Sequence, residues 1–141
     1  RGWIKDWLKL DRSRIALTVQ SFGFKHGIPL DADFVFDARF LPNPFYDPKL
    51  RPLSGRDASV KSFMAADPNV EHFTADIAAF ILRWLPLFAR DNRAGLMIAV
   101  GCTGGQHRSV HIIEELAQRF SLGHQVLIRH RDIHDFPSEP V

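Results

Sequence analysis

The sequence predicts a small α/β domain: a mostly parallel sheet of about four strands with helices packed on it. Two observations predict it. Segments of strand length, rich in β-branched and aromatic residues, alternate with longer segments of helical periodicity. In addition, Leu96-Met97-Ile98-Ala99-Val100 is an uninterrupted apolar run, as expected of a strand buried on both faces of a parallel sheet.

Taken in order, residues 1–14 carry Trp3, Ile4, Trp7 and Leu8 at helical spacing. Around them Arg1, Lys5, Lys9, Arg12 and Arg14 stand against Asp6 and Asp11, five against two, a local net charge of +3. The segment reads as a basic linker or a short capping helix, with membrane-surface or RNA contact as the alternative. Ile15–Ser21 alternates as a strand does, and the two glycines in Phe22–Gly27 mark a loop. Phe34–Phe40 is the second strand, with its aromatics and Val35 as the buried part. From Leu41 to Asp57, Pro42, Pro44, Pro48 and Pro52 are too dense for a helix or a central strand. The Phe45, Tyr46 and Leu50 embedded there indicate an ordered, functional loop.

Asp57–Ala66 follows as a short helix ending near Asp67-Pro68. Val70–Asn92 repeats apolar residues at three- and four-residue steps (Phe73, Ile77, Ile81, Trp84), with Pro86 expected to kink the helix or begin its last turns. Beyond the apolar run and a glycine-rich loop, Val110–Phe120 is helical, with Ile112, Ile113, Leu116, Ala117 and Phe120 inward and Gly123 as its stop. His72, His111 and His124 read as helix-surface or turn residues. Gln125–His130 is the last strand. Residues 15–131 are the domain, and 132–141, with Asp132, Asp135 and Glu139, read as an acidic mobile tail.

At 141 residues the chain fits one domain. Its 45% hydrophobic and 24% charged residues exclude a disordered chain, a collagen-like repeat and a coiled coil. The longest uncharged apolar run, Ile77–Leu82, falls far short of a membrane span, so no membrane is expected. The single cysteine cannot form an internal disulfide, which makes a cytoplasmic setting the default. The absence of an initial Met suggests a piece of something longer.

The chemistry concentrates in Gly101-Cys102-Thr103-Gly104-Gly105-Gln106-His107-Arg108-Ser109. A strand feeding a glycine-rich turn into a helix aims several backbone N–H groups, and the positive end of the helix dipole, at one point. Gly104 and Gly105 allow positive φ and a close approach of an anion. Arg108 supplies a bidentate fork for phosphate oxygens, Thr103 and Ser109 supply hydroxyls, and Ser109 is a natural N-cap. His107 is placed either to pair with Cys102 or to donate to the anion, and Gln106 lies within the same loop. Cys102 and Arg108 reproduce the C-x5-R-[ST] spacing of cysteine-dependent phosphatases, so covalent catalysis stands as the alternative to anion binding. That chemistry needs a lowered thiol pKa and a general acid, for which Asp37 and Asp57 are the candidates. No spacing of His and Cys suits a metal, no cofactor is expected, and no Gly-Lys-Ser/Thr follows the glycines. Asp37 and Arg39 alternate near the C-terminal end of strand two, where ligands gather in open α/β sheets. Asn43 would join them if the Pro-rich loop folds over the same edge, with Lys25 and His26 adding positive charge.

Ser21–Gly27 (SFGFKHG), Asp31–Pro44 (DADFVFDARFLPNP), Asp47–Pro52 (DPKLRP) and Gly101–Ser109 (GCTGGQHRS) together resemble the C-terminal domain of the RapZ (YvcJ-like) RNase adapter proteins, over roughly residues 15–131. The resemblance implies a fold like a sugar-phosphate-binding subdomain of phosphofructokinase and an upstream P-loop nucleotide-binding domain. It further implies a sensor and adaptor that binds glucosamine-6-phosphate and small regulatory RNA. The loop would then hold the phosphate, and Asp37, Arg39 and Asn43 the amine and hydroxyls. Lys25, Arg129 and Arg131 are the candidate RNA contacts; a homo-oligomer is expected. The best-known branch ends in a Lys/Arg-rich tail, whereas this chain is acidic beyond Arg131.

Overall fold

Four extended segments run parallel: β1 (Ala16–Gly23), β2 (Phe34–Asp37), β3 (Gly95–Cys102) and β4 (Val126–His130). Their order across the sheet is β2-β3-β1-β4. Three helices pack on it: α1 (Ala58–Ala65), α2 (Pro68–Arg90) and α3 (Arg108–Phe120). The structure, a computed structural model, describes residues 15–133. The basic segment 1–14 and the tail beyond Ile133 lie outside the described residues. The expected α/β sheet of four strands is thus the observed one, and it is wholly parallel.

The apolar run predicted an inner strand, and β3 is one, buried from Leu96 to Cys102 between β2 and β1. Leu17 and Val19 of β1, Leu96, Ile98 and Val100 of β3, and Ile112, Ile113, Leu116 and Phe120 of α3 share one core. Each such fully buried side chain contributes about 1.5–3 kcal/mol. α2 starts two residues before Val70 because Pro68 occupies its first turn and the Asp67 carboxylate accepts the Asn69 N–H at 2.8 Å. Pro86 begins its last turns, one of the two expected outcomes, and the helix runs on to Arg90. The carbonyl that Pro86 deprives of a donor is that of Leu82, a residue on the exposed side of the helix. Among the described residues α2 is the one helix long and apolar enough to cross a membrane by length and composition. It is nonetheless amphipathic. Val70, Thr74, Ile77, Ala78, Ile81 and Leu85 face the core, while Glu71, Asp76, Arg83 and Arg90 are exposed. Edge-on rings of Phe80 and Phe88, 5.5 and 5.7 Å from Phe34, fasten it to β2.

Other boundaries moved for local reasons. β1 continues two residues past Ser21 because Phe22 and Gly23 stay in register with Gly101 and Cys102. β2 stops at Asp37, where Leu41 N–H turns back to the Ala38 carbonyl at 3.2 Å, so Arg39 lies beyond the strand. α3 opens at Arg108, two residues earlier than expected, making His107 its N-cap. Ser109 therefore sits inside the first turn and caps nothing. Asp132 and Ile133, assigned from the sequence to the tail, belong to the folded body. The Asp132 carboxylate accepts the Gly23 N–H at 2.8 Å, and Ile133 is buried.

This topology opens a crevice. The chain leaves β1 toward the β2 edge and leaves β3 toward the β4 edge, although β1 and β3 are neighbours. The parting lies above their C-terminal ends, Gly23 and Cys102, the position where open parallel sheets bind ligands.

Candidate functional site

A cavity of about 460 Å³ fills that crevice. Its floor is the loop after β3, with Cys102, Thr103, Gly104, Gln106, His107 and Arg108 in the lining. Lys25 and His26 after β1 form one wall, and Asn43, Phe45, Tyr46, Arg51, Pro52, Leu53 and Ser54 of the Pro-rich loop form the other. That loop is ordered by its own sequence. The Asn43 side-chain oxygen accepts the Phe45 N–H at 3.0 Å, and the Arg51 Nε donates to the Phe45 carbonyl at 2.8 Å. The Gly55 N–H donates to the Gln106 carbonyl at 2.8 Å and ties the two loops together.

Two glycines make the floor. Gly105 has φ +78°, and a Cβ there would stand 2.7 Å from the Gly23 nitrogen, so only glycine lets the loop lie on the end of β1. Gly104 instead faces open space, with no atom within 4 Å of a Cβ built on it and no positive φ. The two expected roles are therefore divided: Gly105 makes the turn, and Gly104 leaves the room.

Arg108 is the dominant group. It is only 4% exposed; its Nη1 donates to the carbonyls of Arg39 (2.7 Å) and Leu41 (3.0 Å), and Nη2 reaches the Thr103 hydroxyl at 3.5 Å. Its Nε has no partner, and among the described residues it forms no ion pair. Cys102 is buried, its sulfur 3.2 Å from the Ser109 hydroxyl and accepting the Ser109 N–H at 3.4 Å. Ser109 thus serves the thiol and does not line the cavity. The His107 Nε2–H donates to the Leu50 carbonyl at 3.1 Å, which fixes its tautomer.

Asp37 and Arg39 do not line the cavity. They satisfy each other in a bidentate pair at 2.9 and 2.7 Å, and the guanidinium also stacks 3.9 Å over Phe24. The Arg39 hydrogen bonds hold the Asp37 carboxyl below its usual range, with Arg108 adding to the effect. Asp57 accepts the Ser54 N–H at 2.7 Å and is likewise outside. Among the described residues no carboxylate lines the cavity, and neither candidate general acid, Asp37 or Asp57, is among those lining it. Of the candidate RNA contacts, Lys25 lines this cavity, while Arg129 and Arg131 border a separate shallow groove with Gln20, Pro29, Asp31 and Ile128. Arg131 is paired with Asp132 at 2.8 Å. Among the described residues no group of side chains could hold a metal ion.

The sequence reading missed the aromatic and basic wall. Phe45, Tyr46 and Arg51 were legible as unusual residues for a loop, and the Tyr46 ring is 78% exposed beside the cavity. It also misplaced His111, which is buried under the helices and not on the surface.

Burial pushes both His107 and His111 below the ordinary histidine range, against the carbonyl bonds that support the charge on His107. In the unfolded chain both take up protons near pH 6.5, while the folded chain resists. Stability should therefore be fully present above about pH 7 and decline as pH falls through 6.5 toward 5. Asp37, Glu114 and Asp132, all lowered, start from 3.8, 4.5 and 3.8 and act below that window. Urea midpoints at pH 7.5, 6.5 and 5.5 test this; a flat profile, or a rise on acidification, contradicts it.

A parallel α/β sheet with a cavity between its β3–α3 loop and a proline-rich loop, at the C-terminal ends of β1 and β3, defines an open parallel α/β domain. More narrowly, residues 15–134 match the RapZ C-terminal domain model, and the chain belongs to that family. It is 54% identical over 134 residues to a nucleotide-binding protein of Chromobacterium violaceum and 57% identical over 133 residues to one of Thiobacillus denitrificans. These matches cover 95% and 94% of this chain but 48% of each relative, so the chain spans about half the length of the curated relatives it matches.

Proposed function

We propose that this is a regulatory domain that binds a phosphorylated small molecule, a sugar phosphate, in the cavity over Gly101–Ser109 and reports its presence to a partner. The observation that carries the reading is Arg108, a buried guanidinium that pairs with no carboxylate among the described residues. An uncompensated buried charge costs several kcal/mol, and an anion on the loop offsets that cost. The N-terminus of α3, with the positive end of its dipole, opens at Arg108 in the cavity lining. Because no carboxylate among the described residues lines the cavity, binding is favoured over phosphoryl transfer through Cys102.

Family membership supports the finer parts. Glucosamine-6-phosphate is the reference ligand and small regulatory RNA the second partner, in a cytoplasmic homo-oligomer whose upstream half binds nucleotide. Transmission has a physical route. Gln106 lines the cavity, and its Nε2 donates to the Asp132 carbonyl at 2.5 Å. Asp132 in turn holds Gly23 and pairs with Arg131, beside the Arg129 groove. A ligand that draws Gln106 inward loosens that corner.

Gly104→Leu tests the site without disturbing the fold, since its side chain enters open space. The variant should unfold at the parent's temperature in the absence of ligand, yet lose the rise in melting temperature that inorganic phosphate gives the parent. An undiminished phosphate effect in the variant places the anion elsewhere.

A further inference from the structure

The second half of α2 carries more apolar surface than the core takes up. Of the helix's most apolar stretch only 28% is buried. Phe80, Trp84 and Leu87 recur at steps of four and three, so they share one side of the helix, beside the buried stripe of Ile77, Ile81 and Leu85. They are 41%, 39% and 41% exposed. Nor do they stand singly, as scattered surface residues do. The Phe80 ring meets Phe34 edge-on at 5.5 Å and Phe36 at 6.2 Å, and Phe88 meets Phe34 at 5.7 Å. Because β2 is an edge strand, this aromatic band runs along a border of the sheet. Asp76 and Arg83, both exposed and one helical turn from these residues, rim it.

The chain enters the domain at the same corner. The Ala16 N–H donates to the Ala94 carbonyl at 3.1 Å, just past the end of α2 at Arg90, and Ile15 is buried there. Residues 1–14, outside the described residues, carry four large apolar side chains, Trp3, Ile4, Trp7 and Leu8, at a spacing that sets them on one face of a helix. We infer that residues 1–14 dock that face on Phe80, Trp84 and Leu87 and cover the exposed side of α2. The lengths agree: at 1.5 Å per residue, 3–8 and 80–87 span about 8 and 11 Å of helix. Residues 9–14 can bridge up to about 20 Å, which exceeds the roughly 8–10 Å between the axes of packed helices. A segment joined to the surface it covers meets it at an effective concentration on the order of millimolar, so a weak contact suffices. A second copy of the chain lacks that advantage.

Trp84 is the one tryptophan outside this segment, so it reports on the contact. In the full chain with Trp3→Phe and Trp7→Phe, which keep the apolar face, Trp84 should emit as a shielded indole and resist quenching by acrylamide. Adding Ile4→Asp and Leu8→Asp should shift its emission to longer wavelength, raise the quenching constant and lower the urea midpoint. Cross-linking gives a second readout. Leu8→Cys paired with Leu87→Cys should close a disulfide within one chain, faster than Leu8→Cys paired with Tyr46→Cys at the cavity. The natural Cys102 is buried. Unchanged emission and quenching in the Asp variant, or equal disulfide rates for the two pairs, overturn the inference. A disulfide that joins two chains assigns the face to a second copy, and shielding of Trp84 that appears only with anionic vesicles assigns it to a membrane surface. Either result overturns it as well.

Discussion

Replacing Gly105 with alanine is expected to cost the domain about 2–5 kcal/mol and to disable the cavity. The residue has φ +78°, and a side chain there adds about 1–2 kcal/mol of backbone strain. The new Cβ would also stand 2.7 Å from the Gly23 nitrogen and 2.9 Å from the Phe22 carbonyl carbon. Both are backbone atoms of β1, so no flexible side chain can yield, and overpacking of this kind costs about 1–3 kcal/mol. Relief requires lifting the loop off β1, which carries Gln106 and Arg108 with it. Urea unfolding measures the first effect and phosphate titration the second. A loss below about 1 kcal/mol shows that the loop tolerates another path over the strand.

Arg108→Ala should produce the largest change in ligand response. Phosphate at 100 times its dissociation constant should stabilise the parent by about 2.7 kcal/mol. The variant should gain almost none of this, because the guanidinium fork is gone. Without ligand two opposing effects meet. The carbonyls of Arg39 and Leu41 lose their donor, while an uncompensated buried charge disappears. The unliganded variant should therefore differ from the parent by less than the ligand effect does. Arg108→Lys restores the charge without the fork and should recover part of the response. Equal stabilisation of parent and Arg108→Ala by phosphate contradicts the assignment of Arg108 to the anion.

Much of this fold is written in local patterns. The five-residue apolar run of β3, the helical spacing on α2 and α3 and the proline density from Leu41 to Pro52 are each properties of adjacent residues, so periodicity and steric exclusion read them directly. The glycine-rich loop is equally local. The spacing from Cys102 to Arg108 and the glycines between them are read directly from adjacent residues between a strand and a helix. The failures were equally physical. Ser109 looked like a cap, but the helix began one residue before it. His111 looked like a surface residue because it is polar, yet α3 is packed against β1, β3, β4, α1 and α2, which leaves it little exposed surface.

The sequence by itself determined which segments become strands and helices, and that a glycine-rich turn joins β3 to α3. Those outcomes depend on contacts within a dozen residues. Only the tertiary structure decided what faces that turn. The order β2-β3-β1-β4 brings Lys25, Arg51 and Arg108 around one cavity from three distant parts of the chain. The same geometry leaves Asp37 and Arg39 outside, where each neutralises the other. Pairing between strands far apart in sequence sets these neighbours, and no local pattern records which residues such pairing will bring together.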